Sequence, residues 1–218
     1  MGKRIGVVLS GCGVYDGAEI HEATLTLYFL DKAGTKVVCM APDKDQFHVV
    51  NHLTGDEMPE RRNVRVESAR IARGDVKRLD EVKATELDGL IIPGGFGMAK
   101  NLSTLAFDGA NAQVDEDLVA LVMAMHGAGK PIGALCITPA VLSKILAERG
   151  VRLTIGNDEG TAEAIRNMGN THVESGAEQI IIDEQNNVIS SAAYMCAASI
   201  AEAGVGIEKL VAEVLKRA

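Results

Sequence analysis

Cys136 closes a short apolar run in the segment Lys-Pro-Ile-Gly-Ala-Leu-Cys-Ile-Thr-Pro-Ala-Val-Leu (130–142), and a helix-starting Thr-Pro pair follows at once. That is the sequence form of a nucleophile elbow, a sharp strand-to-helix turn that pushes one side chain out of the carboxyl edge of a sheet. The N-terminus of the next helix supplies amide donors and the positive end of a dipole, and both favour thiolate over thiol. Ala134 and Thr138 stand where the usual elbow has glycine. The same pattern also fits a buried structural cysteine at a strand end, because cysteine is among the most buried residue types.

Two more loops carry groups that could act with a thiol. Pro93-Gly94-Gly95-Phe96-Gly97 bares backbone amides. The amides of Gly94 and Gly95, with that of Ile137, are candidates for stabilising an oxyanion formed when a thiolate adds to a carbonyl. The segment Asp16-Gly17-Ala18-Glu19-Ile20-His21-Glu22 places Glu19 and Glu22 on one helical face at the i, i+3 spacing. One of these carboxyls can point into the cleft and move a proton between carbon and oxygen; equally, acidic residues suit a helix N-terminus. His21 and Cys12 are close enough in sequence to serve as accessory groups. A rival reading of the first loop is dinucleotide binding, since Gly11-Cys12-Gly13 follows a strand and Asp43 follows the next one. Asp16, Glu19 and Glu22 would crowd carboxylates against a pyrophosphate, and no Gly-Lys-Ser/Thr follows the loop.

The elements that must position these groups alternate. An apolar strand at 5–10, a helix from Asp16-Gly17 to about Lys32 and a strand at 36–41 form one unit. A strand at 87–92, a helix at 115–128 with Leu118, Leu121, Val122 and Met125 on one face, and a strand at 132–135 form another. The elbow helix follows at 138–149, then a short strand at 151–155, a short helix at 161–168, a hairpin of 179–183 with 188–191, and a last helix from near Ala193 to Arg217, broken around 204–206. The stretch 51–63 is the least regular, either a flap over a site or a solvated excursion. Continuous apolar strands point to a parallel sheet covered on both faces. The pattern predicts a three-layer α/β sandwich with a mostly parallel, doubly wound, flavodoxin-like sheet, in one domain spanning 1–218, with ligands beyond the carboxyl ends of the strands.

Composition narrows the partners. A net charge of −8 without a basic cluster disfavours nucleic acid and anionic membrane. Only 3% of the residues are aromatic, and the cysteines at 12, 39, 136 and 196 lack zinc-type spacing, so thiol chemistry is expected rather than a metal. No apolar run reaches the ~20 residues that span a bilayer, and a cytoplasmic location is expected.

Taken in order, Gly17 to Glu22, Ala33-Gly34, Leu90-Ile91-Ile92-Pro93-Gly94-Gly95, Asn101-Leu102-Ser103 and Ala134-Leu135-Cys136 are similar to the ThiJ/PfpI branch of the class I glutamine amidotransferase-like superfamily. More narrowly, Ser10 to Gly17, Asn51-His52-Leu53-Thr54-Gly55, Pro93 to Gly97 and Leu153-Thr154-Ile155-Gly156 resemble its ElbB group, which is glyoxalase III-like and linked to isoprenoid biosynthesis. The resemblance implies Cys136 as nucleophile, Glu22 as its acid/base partner, and a homodimer. It also implies a histidine directly after the nucleophile or on the next strand, where this chain has Ile137 and Gly156. Without that histidine amide hydrolysis lacks a proton donor for the leaving amine. A glyoxalase reaction on a small dicarbonyl, which needs neither cofactor nor metal, makes smaller demands. The alternative is a redox sensor or binding protein with an oxidisable Cys136.

Overall fold

A computed structural model of the chain describes residues 2–218. In chain order the elements are β1 (Arg4–Val8), α1 (Ile20–Lys32), β2 (Lys36–Ala41), β3 (Val49–Val50), β4 (Glu57–Met58), α2 (Val64–Ile71), β5 (Lys77–Arg78), β6 (Gly89–Ile92), α3 (Phe96–Lys100), α4 (Leu105–Asp108), α5 (Glu116–Gly127), β7 (Ile132–Leu135), α6 (Thr138–Ile145), β8 (Arg152–Leu153), α7 (Glu159–Asn167), β9 (Thr171–His172), β10 (Ile181–Asp183), β11 (Val188–Ser191) and α8 (Ile200–Arg217).

Seven strands form the central sheet in the order β10-β11-β7-β6-β1-β2-β5, with every pair parallel except β10 with β11. β1 lies between β6 and β2, with Val7 opposite Cys39 on one side and Ile91 on the other. The chain leaves β1 toward β2 and later leaves β6 toward β7, in opposite directions along the sheet. Right-handed crossovers then put α1 and α5 on opposite faces, giving the expected sandwich. α8 joins α1 and lies across β6, β7 and β11. The strands are buried from both sides: β6 and β7 hide all their residues. β1 and β6 diverge at the switch point, so loops from β1, β6 and β7 meet at one edge.

Several boundaries differ from the sequence expectation for identifiable reasons. α1 starts at Ile20, not at 16, because segment 13–17 closes on itself: Gly13 donates to Ala18 O and Gly17 to Gly13 O. The last helix starts at Ile200 and runs unbroken through Gly204 and Gly206. Gly206 is required there by close approach, since a Cβ would lie 2.1 Å from Ala177 O. Residues 193–195 form a separate 3₁₀ turn. The stretch 51–63 contains the turn of the β3–β4 hairpin, and His52 within it accepts from the Tyr15 amide at 3.2 Å, packing it on the loop after β1. β8 pairs with β9 in a small separate sheet.

Candidate active site

β7 delivers the chain to Cys136, which turns at φ 58°. That conformation is strained for a residue with a Cβ, by about 1–3 kcal/mol, and persists only where its surroundings hold it. Here they do. The Cys136 amide donates to Ser191 O at 3.0 Å, and Thr138 Oγ1 donates to Pro93 O at 2.9 Å. Thr138 therefore ties the elbow to the loop after β6 at the position where other elbows rely on glycine. Pro139 in the first turn of α6 fixes the helical start.

The two candidate carboxyls have different fates. Glu19 is the cap of α1: its side chain accepts from the Glu22 amide at 2.8 Å. Glu22, one turn in, is fully buried and faces the thiol. Its Oε2 accepts from the Gly94 amide at 2.8 Å and its Oε1 from the Tyr194 amide at 3.2 Å. This corrects the assignment of Gly94 as an oxyanion donor, because its N–H is committed to Glu22. The amides that face the sulfur are those of Gly95 and Ile137. Gly94 is required for space: a Cβ there would lie 2.5 Å from Cys136 Cβ and 2.9 Å from Glu22 Oε2.

Electrostatics correct a second expectation, that the turn and the helix end alone leave the sulfur ionised near neutrality. Cys136 is only 8% exposed. Burial pushes its thiol well up, and the charge of Glu22 pushes further, against the Gly95 and Ile137 amides. Burial also raises Glu22, to about 7, with Glu19 adding to the rise and the Gly94 and Tyr194 amides and the thiol opposing it. Two anions side by side in this buried space are unfavourable, so the pair holds at least one proton. Its two singly protonated forms are thiol with carboxylate and thiolate with carboxylic acid. Amides support both anions: Gly95 and Ile137 the sulfur, Gly94 and Tyr194 the carboxylate.

The accessory residues divide. His21 is half-exposed and its Nδ1 bonds the Tyr194 hydroxyl at 2.8 Å. Cys12 sits among Glu67, Arg70 and Asp16, and burial raises its thiol, so it is a poor partner for the elbow. His172 lies on β9 near Arg166, Glu159 and Glu174 and does not join the pair. At 156 a side chain is excluded: the glycine has φ +93°, and a Cβ would meet Cys196 Sγ at 2.3 Å. The dinucleotide reading also fails. Gly11 and Gly13 donate their amides to Ser68 and Ala18, the Glu19 carboxylate occupies the start of α1, and Asp43 is taken by Asn63 and Arg65. Tyr194 was not identified from sequence; the available signal was that a hairpin placing 188–191 beside 132–135 brings the next residues to the same edge. A cleft of about 310 Å³, lined in part by Phe96, Leu105, Ile137, Thr161 and Ala164, lies beside the elbow.

The chain is similar to known proteins over most of its length. A model described as the DJ-1/PfpI family matches residues 12–203. The chain is 42% identical to the ES1 protein homolog, mitochondrial, of Rattus norvegicus, over 98% of its own length and 83% of the relative's. It is 43% identical to the human glutamine amidotransferase-like class 1 domain-containing protein 3, mitochondrial, over 98% and 82%. A solved structure from Ehrlichia chaffeensis, an isoprenoid biosynthesis protein with an amidotransferase-like domain, superposes with a TM-score of 0.91 at 38% identity over 98% of this chain and 99% of that one. Together with ES1 protein, mitochondrial, of Danio rerio, 32% identical, the curated relatives overturn the expected cytoplasmic location, because each carries a mitochondrial name.

Proposed function

Because the chain belongs to the DJ-1/PfpI family, we propose that it is a cofactor-independent, glyoxalase III-like enzyme that converts glyoxal or methylglyoxal to the hydroxy acid, acting as a homodimer. The observation that carries this reading is the buried Cys136–Glu22 pair, with amides directed at both members. The thiol need not lose its proton to solvent. It passes the proton to Glu22, whose acidity lies near neutrality, and leaves a thiolate facing the Gly95 and Ile137 amides.

The thiolate sulfur forms a bond to the aldehyde carbon, and the carbonyl pair moves to oxygen, which takes the Glu22 proton. The product is a hemithioacetal. Glu22, now a carboxylate, removes the hydrogen of the former aldehyde carbon as a proton and returns it to the neighbouring carbon through an enediol. A thioester results, and water cleaves it to the hydroxy acid and the free thiol. Oxidation level is redistributed within the substrate, so the sum is dicarbonyl plus water. The cleft beside Ile137 and Phe96 gives the substrate's remaining carbon a place next to the elbow. With no leaving amine to protonate, the reaction proceeds without the histidine missing at 137 and 156.

Methylglyoxal consumption should fall by about a hundredfold or more in both Cys136→Ala and Glu22→Gln, the span typical of a lost acid/base or nucleophile. Parent-like turnover in either variant would end the reading. A second reading, redox sensing, is favoured by the near-complete enclosure of the sulfur, which admits a peroxide more readily than a carbon substrate. A protonated Glu22 could hydrogen-bond the sulfinate product. Mass spectrometry after mild peroxide, alongside turnover, separates the two: selective oxidation at Cys136 without turnover favours sensing.

A further inference from the structure

β7 and β11 are paired neighbours, and both run into a left-handed residue with a side chain: Cys136 at φ 58° and Ala193 at φ 42°. The first aims the thiol. The second begins the turn 193–195, whose Tyr194 amide reaches Glu22 Oε1 at 3.2 Å. Hydrogen bonds inside this turn, from Met195 to Ala192 O and from Cys196 and Ala197 to Ala193 O, set its shape but not its position. Its position depends on contacts outside. Cys196 faces Asn157 and Ser175 on one side, and the Tyr194 hydroxyl bonds His21 Nδ1 at 2.8 Å on the other, with the two rings 5.6 Å apart. His21 is the residue next to Glu22 on α1. The same tyrosine thus touches the helix that carries the acid with its side chain and the acid itself with its backbone.

We propose that the His21–Tyr194 hydrogen bond is a latch that keeps the Tyr194 amide on the Glu22 carboxylate, making both residues positioning residues that decide whether sulfur or carboxyl holds the shared proton. The Tyr194 amide stabilises only the form with thiol and carboxylate. When the latch opens, that form loses a donor while the Gly95 and Ile137 amides still face the sulfur. The balance then moves toward thiolate with carboxylic acid. The titratable groups beside the pair are Glu19 from α1 and Tyr194 from the turn, with His21 next to Glu19 at 4.0 Å; the loop after β6 and the elbow face it with amides. Tyr194→Phe changes no charge, so its effect reports the latch directly.

The test is the pH profile of Cys136 alkylation by iodoacetamide, followed by mass spectrometry of the Cys136 peptide. It needs no assumption about substrate, so it stands or fails apart from the glyoxalase reading. Tyr194→Phe should move the midpoint to lower pH and raise the thiolate fraction roughly three- to tenfold, as expected from weakening one hydrogen bond to a charged group. His21→Ala, at a half-exposed site, should reproduce the shift if Tyr194→Phe folds poorly. The double variant should shift no further than either single one, because both remove one bond. An unchanged profile in both single variants, or a double shift equal to their sum, overturns the latch.

Discussion

A carboxyl whose pKa is raised by folding makes the folded state hold a proton that the unfolded chain has already released. For Glu22 the range runs from the ordinary 4.5 to about 7. The stability it supports is complete below the lower value and is lost as pH rises through the upper one. Glu22→Gln keeps one acceptor, for either the Gly94 or the Tyr194 amide, and removes the titration. Urea unfolding of the parent should therefore weaken relative to this variant by on the order of 1–3 kcal/mol between about pH 5 and pH 8. A constant difference across that range would show that the carboxyl titrates alike in both states. At this scale the sequence was readable where a residue's place follows from the strand before it, as at Cys136. Spacing alone could not separate Glu19 from Glu22, and only the family resemblance singled out Glu22, because their roles depend on which residue starts α1, and that is set by the closed turn at 13–17. Nor could it show that Gly94 serves the acid rather than an oxyanion, since that depends on a contact 72 residues apart in sequence.

Among the elements, the long apolar strands and amphipathic helices were legible, and β2 and β7 fall on the expected residues. The short pieces were not. β3, β4 and β5 have two residues each, too few for a period, and α3 follows a glycine at φ 98°. The glycines of α8 suggested a break that packing overrides. Helical glycine ordinarily costs about 0.5–1 kcal/mol relative to alanine, so two of them need a reason. Gly206 has one and Gly204 does not: a Cβ at 206 meets backbone at 2.1 Å and Ser191 Oγ at 2.7 Å, whereas at 204 the nearest atom is Leu25 Cδ1 at 3.8 Å. The same substitution should therefore have opposite signs within one helix. Gly204→Ala should raise the unfolding free energy by about 0.5–1 kcal/mol, and Gly206→Ala should lower it by about 1–3 kcal/mol through overpacking against segment 177 and β11. Denaturant midpoints of the two variants would decide it.

Over the whole molecule, the alternation of strands and helices was sufficient to anticipate the sandwich and the edge where its loops converge. Compartment was not available from the same information. The absence of an apolar span bears on membranes, whereas the destination of a chain is not part of the physics that folds it, and the mitochondrial relatives corrected that inference. The proposed homodimer is directly measurable: light scattering on the eluting protein should return twice the 23.0 kDa of one chain. A mass of one chain would remove the homodimer from the proposal and leave the elbow chemistry intact.

The fit between Gly156 and Cys196 also constrains how such a chain can change over generations. A histidine at 156 would force a left-handed backbone to carry a side chain whose Cβ lies 2.3 Å from a sulfur atom. The Cys196 thiol would have to turn away or residue 196 would have to shrink, and the backbone at 156 would still be strained. A left-handed backbone at 156 thus works against a third catalytic group at that position, and a hydrolase built on this arrangement would draw it from a different wall.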